Sequence, residues 1–306
     1  MKFCGVLNLD KPIGLTSRDV VNRVVRLVRP AKVGHAGTLD PLATGVLVVC
    51  VGDATRLISL AQEGRKRYLA QFVLGQSSDT DDITGQVIQG GDWTGVKLGD
   101  LEGLLPQFVG RIQQVPPQFS AIHVQGERAY DLARRGEMVE LQARPVDVFA
   151  IRIVSFQAPA LELDIECGSG TYIRSLARDL GARLGCGALM TDLRRLGVGP
   201  FLSSAAIAAD QLTLDNLAAN LQPAINLVQH LPKRFLSPDE VLAVRRGQGI
   251  SLGRLLSELP AGFVPATASP PAETRIALVG VDGQLLGMGE ADFQEQRIRP
   301  RIVFPD

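Results

Sequence analysis

The chain is organised around the segment Val33-Gly-His-Ala-Gly-Thr-Leu-Asp-Pro-Leu-Ala-Thr-Gly45, which lies between a basic helix candidate and the apolar run Val46–Val51. Its three glycines permit backbone angles that other residues adopt only at a cost. Pro41 fixes its own φ and biases Asp40 toward extended geometry. The segment therefore predicts a stiff loop that holds one carboxylate, Asp40, in front of a buried strand. A simpler interpretation stays open, in which Asp40 only caps a backbone N–H in a turn.

The composition is that of an ordinary globular protein, with 306 residues, 45% hydrophobic and 21% charged. This length suffices for one large domain and a small one. The formal net charge of zero excludes a global field that would attract nucleic acid, so any RNA site must come from local charge. Such an asymmetry exists in residues 1–35, where the acidic side chains are Asp10 and Asp19 and the basic ones are Lys2, Lys11, Arg18, Arg23, Arg26, Arg29 and Lys32.

The spacing of the cysteines and the composition of the first residues indicate the cellular compartment to expect. Cys4, Cys50, Cys167 and Cys186 show no C-x-x-C spacing, which argues against a zinc knuckle or a redox motif and suits a reducing cytosol. The first residues lack the apolar region of a secretory signal, and no apolar run approaches membrane-spanning length. We therefore expect a cytoplasmic protein without a membrane segment.

Several motifs resemble one known family. The twelve residues from Gly34 to Gly45 resemble the catalytic motif of the TruB-type pseudouridine synthases, and Lys11-Pro-Ile-Gly-Leu-Thr-Ser17 resembles the opening motif of that family. The blocks Lys66-Arg-Tyr68, Tyr172-Ile-Arg174 and Thr191–Phe201 follow in the family's order. The resemblance covers nearly the whole chain. It implies an isomerase that converts uridine to pseudouridine at position 55 in the T loop of tRNA, without cofactor or metal.

The resemblance also implies roles for individual residues. Asp40 would be the nucleophile, Arg174 would keep it charged and oriented, and Tyr68 would stack on the base and could serve in proton transfer. The uridine would be flipped out of its stack at a cost of roughly a few kcal/mol. His35 would then fill the vacated space, and Leu193 would pack under the base. A purely structural His35 stays open, as does the point of attack, C1′ or C6.

The RNA contacts are predicted from basic side chains on either side of the central loop. A helix is expected after Thr16 and Ser17, which are natural N-caps, with valines on one face and cations on the other. A tRNA T-arm would lie across these cations, bound by a monomer. Simpler interpretations stay open: the cations of the helix could form a solvated helix face, and Lys66 and Arg67 could protect an edge strand by their charge. The predicted contacts are Lys11, Arg18, Arg26, Arg29, Lys66 and Arg67.

The predicted fold is mixed α/β (α+β), a pseudouridine synthase fold with a largely antiparallel central sheet that includes strands at 144–157 and 161–167. A boundary near residue 231 divides the chain into a catalytic domain, 1–231, and a second domain, 232–306. Strand candidates at 275–281, 285–289 and 297–304 make the second domain resemble a PUA domain, a small β-barrel that binds RNA. The segment 261–273, rich in Pro, Ala and Thr, is expected to be an inserted surface loop.

Other functions fit less well. A Ser/His/Asp hydrolase would need a nucleophile elbow with a partner histidine, and a glycosidase would need two carboxylates where the central loop offers one. The acidic turn Asp79-Thr-Asp-Asp82 lacks the spacing of a calcium loop, and no metal is assigned to it. The alternative that stays open is a non-catalytic tRNA-binding or folding protein of the same fold. Phe119 and His123 depart from the family pattern, where tyrosine and lysine are usual.

Overall fold

The computed structural model describes residues 3–120, 122–124, 127–128, 130, 132, 135–137, 139–253 and 274–305, so the segment 261–273 lies outside the described residues. The helices with described bounds are α1 (Ser17–Val28), α2 (Ile58–Glu63), α3 (Leu98–Leu104), α4 (Ile173–Leu184), α5 (Leu214–Asn220) and α6 (Pro238–Arg245). Short 3-10 helices cover Gly52–Leu57, Leu105–Phe108, Ser203–Ala205 and Ala224–Val228. None of the described helices is long and apolar enough to span a membrane.

The strands fall into two main sheets and two small hairpins. The strands before α4 are β1 (Gly5–Lys11), β2 (Val33–His35), β3 (Thr44–Val51), β4 (Lys66–Leu74), β5 (Gln76–Ser78), β6 (Val87–Gln89), β7 (Gly110–Gln114), β8 (His123–Val124), β9 (Glu127–Arg128), β10 (Arg144–Gln157) and β11 (Ala160–Cys167). Those after α4 are β12 (Ala188–Val198), β13 (Phe201–Leu202), β14 (Ile207–Ala208), β15 (Lys233–Phe235), β16 (Ile250–Ser251), β17 (Thr274–Val279), β18 (Leu285–Asp292) and β19 (Arg297–Val303).

The central sheet has the order β14-β1-β3-β12-β4-β11-β10-β7, with β2 added to β3 and β13 to β12. Only the β1–β14 and β3–β12 pairs are parallel among its described pairings, and both are short. The two long strands predicted at 144–157 and 161–167 are β10 and β11, which pair antiparallel. The predicted α+β fold with a largely antiparallel central sheet is therefore confirmed.

Local sequence explains the two elements that flank the central loop. Helix α1 starts at a capping box, in which the Thr16 side chain accepts from the Asp19 backbone N–H and the Asp19 carboxylate accepts from the Thr16 backbone N–H. Val20, Val21, Val24 and Val28 of its valine stripe are buried, as the spacing predicts, and Val25 is half-buried. In β4 the alternation is equally clean, because Tyr68, Ala70, Phe72 and Leu74 are buried while Arg67 and Gln71 are exposed.

The second sheet, ordered β15-β17-β18-β19-β16, is a curled half-barrel consistent with the predicted PUA-like module. It is not isolated from the first, because Ala277 and Met288 share one apolar core with Val46 and Val48 of β3. Two polar contacts join the same surfaces: Arg275 forms a two-pronged ion pair with Glu63, at 2.6 and 2.8 Å, and Arg56 donates to the Val303 carbonyl at 2.7 Å.

Candidate active site

The loop that carries Asp40 connects β2 to β3, and several elements hold its backbone. The Ser17 hydroxyl, at the start of α1, accepts from the Leu39 N–H at 2.8 Å and donates to the Leu39 carbonyl at 3.1 Å. The Pro41 carbonyl accepts from the Gly14 N–H at 2.8 Å and from the Lys11 ammonium at 3.4 Å. The residues on either side of Asp40 are therefore fixed by hydrogen bonds, as the stiff-loop prediction requires.

A buried arginine from β12 closes the other side of this loop. Arg195 is 1% exposed and donates from Nε to the Val46 carbonyl at 2.6 Å, from Nη2 to Gly37 at 3.2 Å and from Nη1 to Thr38 at 3.4 Å. The backbones of Gly45 and Arg195 are also in close contact, because a Cβ at Gly45 would lie 2.2 Å from the Arg195 carbonyl oxygen. With φ at +96°, position 45 accepts only glycine without strain.

Asp40 and Arg174 meet across the cleft. The Arg174 Nη2 atom lies 3.0 Å from the Asp40 Oδ2 atom, and the arginine side chain is 7% exposed whereas the carboxylate is 39% exposed. Arg174 sits in the first turn of α4, whose buried residues anchor it, and it also donates to the carbonyls of Thr80 and Phe119, each at 3.0 Å. Phe119 stands where the family usually has tyrosine, but this difference does not affect the contact with Arg174, because the backbone carbonyl of Phe119 accepts the hydrogen bond.

A second carboxylate completes the ion-pair network. Asp82 is buried and lies 3.5 Å from the Arg174 Nη1 atom, so the guanidinium bridges two acids. The other Asp82 oxygen accepts from the Thr80 hydroxyl at 2.9 Å and from the backbone N–H and hydroxyl of Thr84. One turn further along α4, Arg178 pairs with Asp81 at 2.8 Å without an ion pair to Asp40. The acidic turn at 79–82 thus orients α4 against the loop.

The core beside the Asp40 loop contains an aromatic ring and a leucine from two neighbouring strands. Tyr68 on β4 and Leu193 on β12 are 8% and 6% exposed, and both lie in the core that also contains Leu39 of the loop. The two strands are neighbours, with Leu193 opposite Ala70 and Arg195 opposite Tyr68. A carboxylate on a loop that packs against an aromatic ring and a leucine suits a flat ring that must be held while one of its bonds is attacked.

His35 lies at the entrance to the loop, on β2 opposite Val49. Its Nδ1 atom is buried without a hydrogen-bond partner among the described residues. Burial lowers the pKa of His35, and the nearby charges of Arg18 and Arg195 lower it further. A backbone hydrogen bond with Gly37 raises the pKa, but the net shift is downward. The lowered pKa favours the neutral imidazole.

The predicted RNA-contact cations fall into two groups. Lys11 and Lys66 are buried and donate to backbone carbonyls, those of Pro12, Leu15 and Pro41 for Lys11 and that of Gln62 for Lys66. Burial lowers the pKa of each to about 8. Arg67 is exposed but makes a two-pronged ion pair with Asp164. Their RNA contact stays a prediction that this geometry does not favour.

Two arginines of α1 and the arginine that caps its C-terminal end form the second group. Arg18, Arg26 and Arg29 are exposed, and none has an ion-pair partner within the described part of the chain. The Ser17–Leu39 hydrogen bonds join the first residue of the helix to the Asp40 loop, so Arg18 lies next to this junction, while Arg26 and Arg29 lie at the other end of the helix. Three unpaired guanidinium groups on one exposed face are a suitable surface for phosphates.

The electrostatics of Asp40 differ in one respect from the expectation that Arg174 keeps it charged. Burial raises the pKa of the Asp40 carboxyl and Asp82 adds to this effect, while the charge and hydrogen bond of Arg174 and the charge of Lys11 lower the pKa; the net shift is upward. Desolvation thus outweighs the ion pair. Removal of water makes the carboxylate a stronger base and nucleophile at the pH where it is ionised.

This shift predicts an acidic limb in the pH profile. Because the reactive form is ionised and the pKa of Asp40 is raised, kcat/KM should fall with decreasing pH at a higher pH than an ordinary aspartate would allow. The measurement is kcat/KM on RNA across the acidic range, with Asp81→Asn as control because burial raises the pKa of Asp81 to about 6. A limb that disappears in Asp81→Asn would belong to Asp81 and contradict the assignment to Asp40.

Two residues of this site escaped prediction. Asp82 belongs to the acidic turn at 79–82, but its pairing with Arg174 requires α4 and this turn to meet in space. Nothing in the sequence spacing of the two residues indicates that they meet. Arg195 follows Leu193 in a recognised block, and nothing in a pair of adjacent arginines shows that one is buried and the other pairs with Asp10. A buried position for Arg195 is suggested only by its two-residue offset from Leu193 on a strand.

Sequence and structure comparisons agree with the geometry. Residues 25–173 match the model of the TruB family pseudouridylate synthase N-terminal domain, and residues 174–242 match that of the tRNA pseudouridylate synthase B C-terminal domain. The tRNA pseudouridine synthase B of Geobacter sulfurreducens is 41% identical over 86% of this chain and 92% of that protein. That of Xanthomonas axonopodis pv. citri is 41% identical over 98% of this chain and 94% of that protein.

Solved structures show the same fold. An H/ACA RNP bound to a substrate RNA containing 2'-deoxyuridine matches with a TM-score of 0.73 and 26% identity, over 99% of this chain and 85% of that one. A Cbf5-Nop10-Gar1 complex matches with a TM-score of 0.72 and 27% identity, over 99% and 84%. The fold and the site define a pseudouridine synthase, an isomerase. The chain belongs to the TruB family.

Proposed function

We propose that this protein isomerises a tRNA uridine to pseudouridine, specifically the uridine at position 55 of the T loop, with Asp40 as the nucleophile. The observation that carries the proposal is the Asp40–Arg174 pair, 3.0 Å apart, on a loop whose Leu39 shares one core with the buried Tyr68 and Leu193. The curated relatives are named as tRNA pseudouridine synthases B, which supports the substrate class. A carboxylate with a buried counter-ion, beside an apolar core that contains an aromatic ring, is suited to covalent attack on a flipped nucleoside.

In this reaction the chain's own residues carry each role. Asp40 bonds to the nucleoside, the C1′–N1 bond breaks with its electron pair passing to the uracil, and the uracil turns so that C5 joins C1′. The bond to Asp40 then breaks, and its electron pair returns to the carboxylate. C5 loses its proton, which restores the ring, and N1 takes up a proton, so the product has the same atoms as the substrate. Arg174 holds the carboxylate in its attacking position, Tyr68 and Leu193 keep the base flat, and His35 fills the space that the flipped base leaves.

The direct test measures release of tritium from tRNA labelled with [5-³H]uridine. An active isomerase releases the C5 tritium to water in step with pseudouridine formation, whereas the alternative, a tRNA-binding or folding protein of the same fold, would bind the labelled tRNA without release. An Asp40–Arg174 pair supports the enzyme, because a binding protein has no use for an anion in its RNA cleft.

We further propose that the T-arm lies across α1. Each neutralised phosphate releases counterions, so the logarithm of affinity should fall with the logarithm of salt by roughly 0.7 to 0.9 per contact. Reversing Arg26 and Arg29 to glutamate should weaken binding and flatten this slope by the equivalent of about two contacts, with turnover at saturating tRNA little changed. Fluorescence anisotropy of labelled tRNA over a salt series measures the slope.

A control must change the net charge equally. Lys97→Glu with Arg111→Glu does so with two exposed cations near the opposite edge of the sheet, at the start of α3 and on β7. If both double variants flatten the slope alike, the effect is one of net charge and the α1 surface is not the RNA site.

The remaining assignments complete the proposal. The protein acts as a monomer in the cytoplasm, where its tRNA substrate is found. Its catalytic domain covers residues 1–231 and the PUA-like module residues 232–306. The ion pair of Arg275 with Glu63 supports a module that is held in one orientation relative to the catalytic domain. We propose that the module in this orientation adds RNA-binding surface to the cleft.

A further inference from the structure

A side chain from another element holds the start of helix α4. The N-cap residue of this helix, Tyr172, has extended backbone angles, with φ at −99° and ψ at 113°, and supplies no side-chain cap itself. The amide of Gln114, at the end of β7, accepts from the Tyr172 N–H at 2.8 Å and donates to the Tyr172 carbonyl at 3.1 Å. Gln114 is 1% exposed. Two residues of neighbouring antiparallel strands exchange the same pair of bonds, so this amide fixes Tyr172 as a strand partner would.

The segment that follows Gln114 contacts the same end of α4 through its backbone. The Val115 carbonyl accepts from the Ser175 hydroxyl at 2.9 Å. The Phe119 carbonyl accepts from the Arg174 Nη2 atom at 3.0 Å. Residues of any type at these two positions would supply such carbonyls. The contact of Gln114 instead depends on its side chain, because only an amide of this length offers one donor and one acceptor to the same backbone residue.

The backbone that Gln114 holds leads directly to the active site. Arg174 is the second residue of α4, two positions after Tyr172. Its Nη2 atom lies 3.0 Å from the Asp40 Oδ2 atom, so the geometry of this pair depends on where the first turn of the helix lies. A displacement of about 1 Å near reacting groups can cost on the order of 10²-fold in rate. Fixation of Tyr172 therefore bears on the chemistry as well as on the fold.

We propose that Gln114 is a positioning residue for catalysis, which holds the start of α4 so that Arg174 reaches Asp40. The inference rests on the proposed function, because the position of Arg174 matters for turnover only if Asp40 is the reacting group. The competing role is structural. Gln114 would then only satisfy two backbone groups at a helix end, and its loss would reduce stability without a specific effect on the Asp40–Arg174 pair.

The experiment compares Gln114→Met with Gln118→Met, since methionine is unbranched and has no amide. Gln118 is a matched control, because its amide donates to the Val139 carbonyl at 2.9 Å and accepts from the Val139 N–H at 3.4 Å, outside α4. Single-turnover tritium release from tRNA gives the rate at saturating enzyme and the enzyme concentration for half that rate. We expect Gln114→Met to lower the saturating rate roughly 10- to 10²-fold, with the half-saturating concentration changed less than about threefold. Gln118→Met should change both by less than about threefold.

Two readouts separate positioning from a general loss of stability. In the Arg174→Met background, Gln114→Met should cost less than about threefold, because substitutions that remove the same contact are not additive. The charged groups that face Asp40 are Arg174, Asp82 and Lys11, and Arg174 lowers the pKa of Asp40. Gln114→Met should therefore move the acidic limb of the pH profile to higher pH, and the control variant should leave it in place. Equal losses in both backgrounds, equal losses in the two single variants, or an unmoved limb would overturn the proposal.

Folding is checked by thermal melting. If Gln114→Met does not fold, the α-hydroxy analogue of tyrosine at position 172 decides the question, because it removes the N–H that Gln114 accepts and keeps every side chain. The rate should then fall at least about threefold, and an unchanged rate overturns the proposal. The native chain is assayed first in every series. Absence of tritium release there would contradict the proposed function itself, whereas native turnover that Gln114→Met leaves within about threefold would contradict only the role of Gln114.

Discussion

Asp40→Asn should lower turnover on tRNA by roughly 10⁴-fold or more, the scale on which loss of a nucleophile acts. The amide is nearly the same size and keeps a contact to Arg174, so the loop should retain its hydrogen bonds through Ser17 and Arg195. Asparagine cannot form the covalent bond that the proposed reaction needs. Affinity for tRNA should change less than about threefold, because an anion that is paired with an arginine does not help to bind a polyanion.

The measurement is single-turnover pseudouridine formation with excess enzyme, alongside tRNA binding by anisotropy. Asp10→Asn is a suitable control, since Asp10 is also half-buried and paired with an arginine, Arg194, and lies outside the cleft core. Turnover by Asp40→Asn within tenfold of the native rate would end the nucleophile assignment. A comparable loss in Asp10→Asn would show that the assay reports folding.

Arg174→Met should have the second largest effect, a loss in kcat of roughly 10²- to 10³-fold, the usual result of removing one preorganised electrostatic partner. The substitution leaves Asp40 without its counter-ion at 3.0 Å and leaves buried Asp82 without its own. Since Arg174 lowers the pKa of Asp40 against desolvation, its loss should raise that pKa further and move the acidic limb of the profile to higher pH. Part of the lost activity should therefore return as the pH rises.

Arg178→Met is the matched control, made one turn along the same helix. Arg178 also pairs with an aspartate of the acidic turn, Asp81 at 2.8 Å, and donates to the carbonyl of Val115 at 2.8 Å. Its removal should reduce thermal stability to a similar degree, since it too leaves a mostly buried carboxylate unpaired. Pseudouridine formation and melting temperature are measured for both. If the two variants lose turnover equally, Arg174 only stabilises α4 and the catalytic role assigned to it is wrong.

The fold was predictable where local patterns are strong. The capping box at Thr16 follows from the residue types at the start of a helix. The alternation from Tyr68 to Leu74 and the long strands β10 and β11 follow from side-chain periodicity, which burial of one face enforces. The family resemblance supplied the rest of the architecture, including the half-barrel after residue 232. The strand order, in which β12 inserts between β3 and β4, depends on long-range pairing and has no local signal.

The site was predictable in the same uneven way. Asp40 and Arg174 are far apart in sequence, and the resemblance paired them, as the 3.0 Å contact shows. The burial of Lys11 and Lys66 was not foreseen, because a basic residue beside a glycine or an aromatic suggests solvent and phosphate rather than backbone carbonyls. The direction of the Asp40 pKa was also unforeseen, since it depends on a balance between desolvation and ion pairing that only the three-dimensional surroundings determine.

The most direct test of the central claim is tritium release from two tRNA transcripts labelled with [5-³H]uridine, one native and one with cytidine in place of the uridine at position 55. The proposed function predicts that the native chain releases one tritium per molecule from the first transcript and none above background from the second, although it binds both. Equal release from the two transcripts would show that another uridine is the substrate. No release from either, with binding intact, would show that the chain binds tRNA without isomerising it.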